Sequence, residues 1–175
     1  ANTNYPALTA LNSTDVAFID NYNDSLRTYR FNGTNWSQVG NGLTISGVET
    51  PALMALNSTD VAFIYYPDDT LRTYRFDGTN WSQVGNGLTI ANTNYPALTA
   101  LNSTDIAFIV TVNDSLRTYR FNGTDWSQVG NGLTISGVGY AELVALNSTD
   151  VAFIYYPDVT LRTYRFDGTN WSQIG

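Results

Sequence analysis

The chain has no histidine, cysteine or lysine, so the usual general base, thiolate nucleophile and amine catalyst are all missing. Carboxylate, phenol, indole and guanidinium groups remain. Glycoside hydrolysis needs two carboxylates flanking one bond, and Asp68-Asp69 is the only adjacent acid pair. The corresponding dipeptide later in the chain is Asp158-Val159, which marks the pair as solvated loop charge and the protein as no enzyme. No stretch has the alternating acids and closing glutamate of a calcium loop, and there is no thiolate zinc set, so neither a metal nor another cofactor is expected.

The remaining chemistry is non-covalent recognition. Tyr65, Tyr66, Asp68 and Asp69 cluster in one loop, with Tyr155, Tyr156 and Asp158 in a second and Asp20, Tyr22 and Asp24 in a third. An aromatic face packs on the C–H groups of a sugar ring while acids accept its hydroxyl hydrogens, so these loops are candidate carbohydrate sites. Unconstrained drift of exposed loops is the plainer explanation of the same pattern. Trp36, Trp81, Trp126 and Trp171 are further candidates, although a tryptophan just after a turn in every unit also suits packing on an outer strand. All cations are arginine: Arg27 and Arg30, then Arg72 and Arg75, Arg117 and Arg120, Arg162 and Arg165. Asp15, Asp60, Asp105 and Asp150 recur beside them, and structural Asp–Arg pairs are expected. An arginine left over would suit a carboxylated or sulfated glycan.

These residues sit at fixed intervals because the chain repeats. LNSTDVAFI at Leu11 returns at Leu56, Leu101 (with Ile106 for valine) and Leu146, each 45 residues on. The units are 1–45, 46–90, 91–135 and 136–175 of a single domain. ANTNYPALT opens units one and three whereas SGV opens two and four, so the larger module is a 90-residue pair. Near identity of the units points to recent amplification, or to design from one unit.

Each unit reads as four short strands: PALTAL, DVAFI, LRTYRF and WSQV in the first. DVAFI is apolar on both faces, as in a strand covered from two sides. Asn32-Gly33, and Asp77-Gly78 in unit two, predict a tight type I′ hairpin before the tryptophan. Gly40-Asn41-Gly42 is expected to end the fourth strand. No segment has a helical period. The loop after the second strand varies (DNYNDS, YYPDDT, VTVNDS, YYPDVT), as does the segment leading into each unit. Both emerge on one side of a meander, so one face of the molecule is variable and the other uniform.

Four strands per 45 residues with Gly and aromatic marks describe an all-β β-propeller of four blades, each of four antiparallel strands. FNGTNWSQVG and FDGTNWSQVG resemble the blade-closing segments of bacterial β-propeller repeat proteins, including propeller lectins. WD40 blades are not the match, since their WD dipeptide and Gly-His are missing. The resemblance implies a multivalent, lectin-like module. A scaffold whose only activity is assembly, and a hydrolase, are the alternatives, and a β-solenoid is the second architecture. The ring could close on four blades, but apolar faces on both end blades favour a homodimer in which two chains form one eight-bladed ring.

A net charge of −7 argues against nucleic acid as partner. No apolar run approaches the ~20 residues of a membrane helix. The first residues, ANTNYPALTA, have neither a charged leader nor an apolar core, so any export signal is expected to be gone from this form. This suits a soluble protein of an extracellular or periplasmic space.

Overall fold

A computed structural model describes residues 5–19, 21–90, 93–110 and 114–175, and among these every regular element is a strand. The first blade comprises β1 (Ala7–Ala10), β2 (Asp15–Ile19), β3 (Ser25–Phe31) and β4 (Trp36–Thr44). The second comprises β5 (Thr50–Ala55), β6 (Asp60–Tyr66), β7 (Thr70–Phe76) and β8 (Trp81–Thr89). The third is built from β9 (Ala97–Ala100), β10 (Asp105–Val110), β11 (Ser115–Phe121) and β12 (Trp126–Thr134). The fourth is built from β13 (Ala141–Ala145), β14 (Asp150–Tyr155), β15 (Arg162–Phe166) and β16 (Trp171–Gln173). Every blade is an antiparallel meander with its strands in chain order.

Apolar residues on both sides of the second strand dictate how the blades stack. In β6, Val61 and Phe63 face blade 1 while Ala62 and Ile64 face blade 3, and all four are fully buried. Three cores result, one at each junction between successive blades. Burying a side chain of valine to phenylalanine size is worth about 1.5–3 kcal/mol. A lone blade would forgo that on both faces.

The first strands lie innermost. β1 touches β5, β5 touches β9, and β9 touches β13, so together they wall a channel. Side chains staple two of these contacts: Ala55 N donates to Thr9 Oγ1 at 3.1 Å, and Ala145 N donates to Thr99 Oγ1 at 3.1 Å. No comparable contact joins blade 4 to blade 1 among the described residues. The four blades therefore form an open arc.

Two details of the meander differ from expectation. The β3–β4 hairpin is not a two-residue type I′ turn, because Phe31 pairs with Trp36 and leaves residues 32–35 in the loop. Only Gly33 has positive φ there (+96°). Asn32 is selected for its acceptor: Oδ1 takes the N–H of Thr34 at 3.0 Å and of Asn35 at 2.9 Å. Asp77 and Asp167 do the same in blades 2 and 4.

The second difference is that β4 does not stop at Gly40-Asn41-Gly42. It runs through them to Thr44, with a bulge opposite Leu26 to Thr28. Gly40 has φ +67°, and a Cβ there would lie 2.2 Å from Thr79 O of the next blade. Asn41 N donates to that same oxygen at 2.6 Å. The glycine therefore lets the outer strand of one blade press on the hairpin of the next, and Gly85 and Gly130 repeat it against Thr124 and Thr169.

On the uniform face, Asp15 lies opposite Arg30 and takes both prongs of its guanidinium at 2.7 Å. Thr14 Oγ1 and Asn12 Nδ2 donate to the same carboxylate. Asp60–Arg75, Asp105–Arg120 and Asp150–Arg165 reproduce the arrangement. The Arg30 hydrogen bonds hold the Asp15 pKa at about 2, against the opposing effect of burial. The other three carboxyls are lowered too, chiefly by their arginines.

Gly85→Ala should destabilise the protein by about 1–3 kcal/mol, since it combines strained backbone with a clash. Gly78→Ala, at φ +99° with open space around it, should cost less, and melting curves of the two variants make the comparison.

Asp15 titrates near 2 in the fold and near 3.9 in an unfolded chain. The pairs thus stabilise fully above about pH 5, and that stabilisation is lost as pH falls toward about 2. A melting temperature level between about pH 7 and 5, falling below about 4, is expected. Asp60→Asn should lower the plateau and make the acid fall shallower.

Candidate functional site

Carboxylates build the variable face. Asp24, at the end of the loop after β2, has φ +48° and accepts from Gly47 N at 3.0 Å and Val48 N at 3.2 Å. Asp114 ties the third connection by the same two contacts, to Gly137 N and Val138 N. Asp69 accepts from Thr93 N at 3.0 Å and from the Thr93 hydroxyl. Of the candidate ligand acids, Asp24 and Asp69 therefore hold the loop of one blade against the lead-in of the next.

A second group forms where the loop supplies Tyr and Asp together. Tyr65 is buried and its hydroxyl donates to Asp68 Oδ2 at 2.9 Å; Arg72 closes on the same carboxylate at 2.7 Å. Burial, and then the Asp68 carboxylate, push the Tyr65 phenol up to about 12. Burial works to raise Asp68 as well, yet hydrogen bonds from Arg72, Thr70 and Tyr65 leave it below the ordinary carboxylate range. Blade 4 repeats the group: Tyr155 donates to Asp158 at 3.0 Å, Arg162 pairs with Asp158, and its guanidinium lies 5.7 Å from the Tyr155 ring centroid. Units one and three have Asn23 and Asn113 where Asp68 stands, and neither Arg27 nor Arg117 pairs with a described acid. Both acids of the Asp68-Asp69 pair are thus committed to structural contacts.

The tryptophans divide unevenly. Trp126 and Trp171 are buried between blades, donating to Thr73 Oγ1 at 3.0 Å and Thr118 Oγ1 at 3.1 Å of the blade before. Trp81 is buried likewise. Trp36 belongs to the first blade and is 55 % exposed. Asp20 lies outside the described residues, as do residues 111–113 of the third variable loop.

What the variable face encloses is an aromatic basin of about 420 Å³ at the mouth of the channel. Tyr5, Tyr95, Tyr140 and Tyr156 line it together with Pro6, Pro51, Pro96 and Glu142. Tyr5, Tyr95 and Tyr140 hold the same position in units one, three and four, where unit two has Thr50. Each stands one or two residues before a first strand. Backbone groups fix two of them: Tyr5 N donates to Asn21 Oδ1 at 3.1 Å, and Tyr156 N to Tyr140 O at 2.8 Å. The rings of Tyr95 and Tyr140 lie 4.3 Å apart, tilted by 49°. A hydrogen bond with Tyr140 raises the Tyr95 pKa. Sequence reasoning named Tyr155 and Tyr156 but missed Tyr5, Tyr95, Tyr140 and Glu142. The signal was a Tyr-Pro or Tyr-Ala step in one column of the repeat, just before the first strand.

Among the described residues no cluster of acids could hold a metal ion, and no helix is long and apolar enough to cross a membrane.

No family model and no curated protein matches the chain. Solved structures do. Aleuria aurantia lectin, in complex with Fucα1-6GlcNAc, superposes with a TM-score of 0.64 at 19% identity over 99% of this chain and 63% of that one. Another structure of the same fungal lectin is described as a six-bladed β-propeller with a novel mode of fucose recognition (TM-score 0.62, 15% identity, 97% and 60% covered). A candidate 6-phosphogluconolactonase from Bacteroides uniformis superposes with a TM-score of 0.71 at 9% identity, over 95% and 52%. At such identities the likeness shows the fold: this chain is a β-propeller arc. It spans between about half and two thirds of those structures.

Proposed function

We propose that this chain is a non-enzymatic, lectin-like module that binds carbohydrate through its variable face. The observation carrying this reading is the tyrosine-lined basin. Its lining combines ring faces for sugar C–H groups with phenol and carboxylate groups for hydroxyls, and its volume of about 420 Å³ suits one or two sugar rings. The fucose-binding propellers that share the fold support the choice of ligand class. Recurrence of the tyrosine in three units brings three rings to the one basin. The reading includes a homodimer: four blades leave both end faces of the arc uncovered, and a second copy supplies the missing ones.

Hydrolysis is disfavoured by the commitments of Asp68 to Arg72 and Tyr65 and of Asp69 to Thr93. A glycan array followed by calorimetry tests the proposal. Methyl α-L-fucoside or another array hit should bind, and Tyr140→Ala should weaken it at least about tenfold, or about 1.4 kcal/mol. Tyr140 is 55 % exposed, so the melting temperature should hardly move. A folded sample with no hit on the array would end the carbohydrate reading.

A further inference from the structure

The two bare faces at the ends of the arc belong to the same 90-residue pattern that joins blades 2 and 3. At that junction Ile64 and Leu71 of blade 2 pack with Leu98, Phe108 and Trp126 of blade 3 in one buried core. Shifted by 90 residues, the blade-2 positions become Ile154 and Leu161, and the blade-3 positions become Leu8, Phe18 and Trp36. Every one of these is the same residue type as its counterpart. Yet Leu161 is 67 % exposed and Leu8 64 %, and Ile154 and Trp36 are open as well. The residues of the polar contact recur too. Trp126 Nε1 donates to Thr73 Oγ1, and the corresponding pair is Trp36 and Thr163, at opposite ends of the chain.

We infer that blade 4 of one copy receives blade 1 of a second copy in the register of the blade 2–blade 3 junction, with the partner's Trp36 seated on Thr163. This rests on the homodimer reading and specifies it. Each copy offers one donor face and one acceptor face. The contact is therefore head to tail, and two copies close it with two equivalent seams into eight blades, within the 4 to 8 range of propellers. Not every link of the internal junction is repeated: Asp69 accepts from Thr93 and Thr50 Oγ1 donates to Asn94 O, whereas Val159 and Tyr140 hold those places in blade 4. The seam relies on apolar burial and the indole bond, which makes it the weakest junction of the ring.

Two variants placed on opposite faces test the register. Leu8→Asp alters the blade 1 face and Val144→Arg the blade 4 face, where Val144 corresponds to Met54 of the internal junction and is 57 % exposed. Light scattering at micromolar concentration should give twice the 19.3 kDa chain mass for the unaltered protein. Each variant alone should run as a monomer with an unchanged β-sheet spectrum. Mixing the two should restore a dimer, because one seam is then unaltered and the other joins Asp to Arg. An unaltered protein that stays monomeric overturns both the homodimer and the seam. A dimer that survives either single variant overturns the seam and leaves the homodimer standing, as does a mixture that fails to pair.

Discussion

A four-stranded sheet with apolar residues on both faces cannot be left half covered, and this constraint organises the molecule. Phe63, Phe108 and Phe153 are fully buried because each has a blade on the side it faces, and Phe18, identical in sequence and backbone, is only half-buried because it does not. The same residue is core or surface according to whether its neighbouring blade is present. In a stacked array of this kind stability is close to a sum of junction terms, so the ends of the arc are where apolar burial is lost.

Polar side chains set the geometry of that stacking without supplying its driving force. Asn12 accepts from two backbone N–H groups and steadies the carboxylate that receives Arg30, so the uniform turns present a fixed edge to the solvent. The half-exposed arginines forming those pairs contribute modestly one by one. Their repetition makes the turns alike in all four blades. Gly40 and its equivalents allow outer strands to touch neighbouring hairpins, so the blades meet at the rim as well as at the channel.

The fold was legible because one signal recurred four times: period, strand count and doubly apolar second strand all agree with the observed meander. Local backbone choices were less legible. Asn32-Gly33 reads as a two-residue turn on conformational grounds, but the hydrogen bonds of the Asn32 side chain favour a four-residue loop. Gly40-Asn41-Gly42 reads as a break, yet a glycine at positive φ can also sit in a bulge that the next blade holds down. The site was half legible. Loop tyrosines stood out by clustering in sequence, whereas Tyr5, Tyr95 and Tyr140 lie at least 45 residues apart and meet only because first strands converge on the channel.

That convergence also explains how the variable face can change while the blade does not. Asp24 and Asp114 fasten the first and third connections through backbone N–H groups, contacts indifferent to the side chains around them. Tyr140 is likewise held by its carbonyl, and its ring is left to the solvent. Substitution at such a position alters what the basin can touch while leaving the strand in place. A repeat built this way can be copied for stability and edited for recognition, since the two demands fall on different atoms of the same residues.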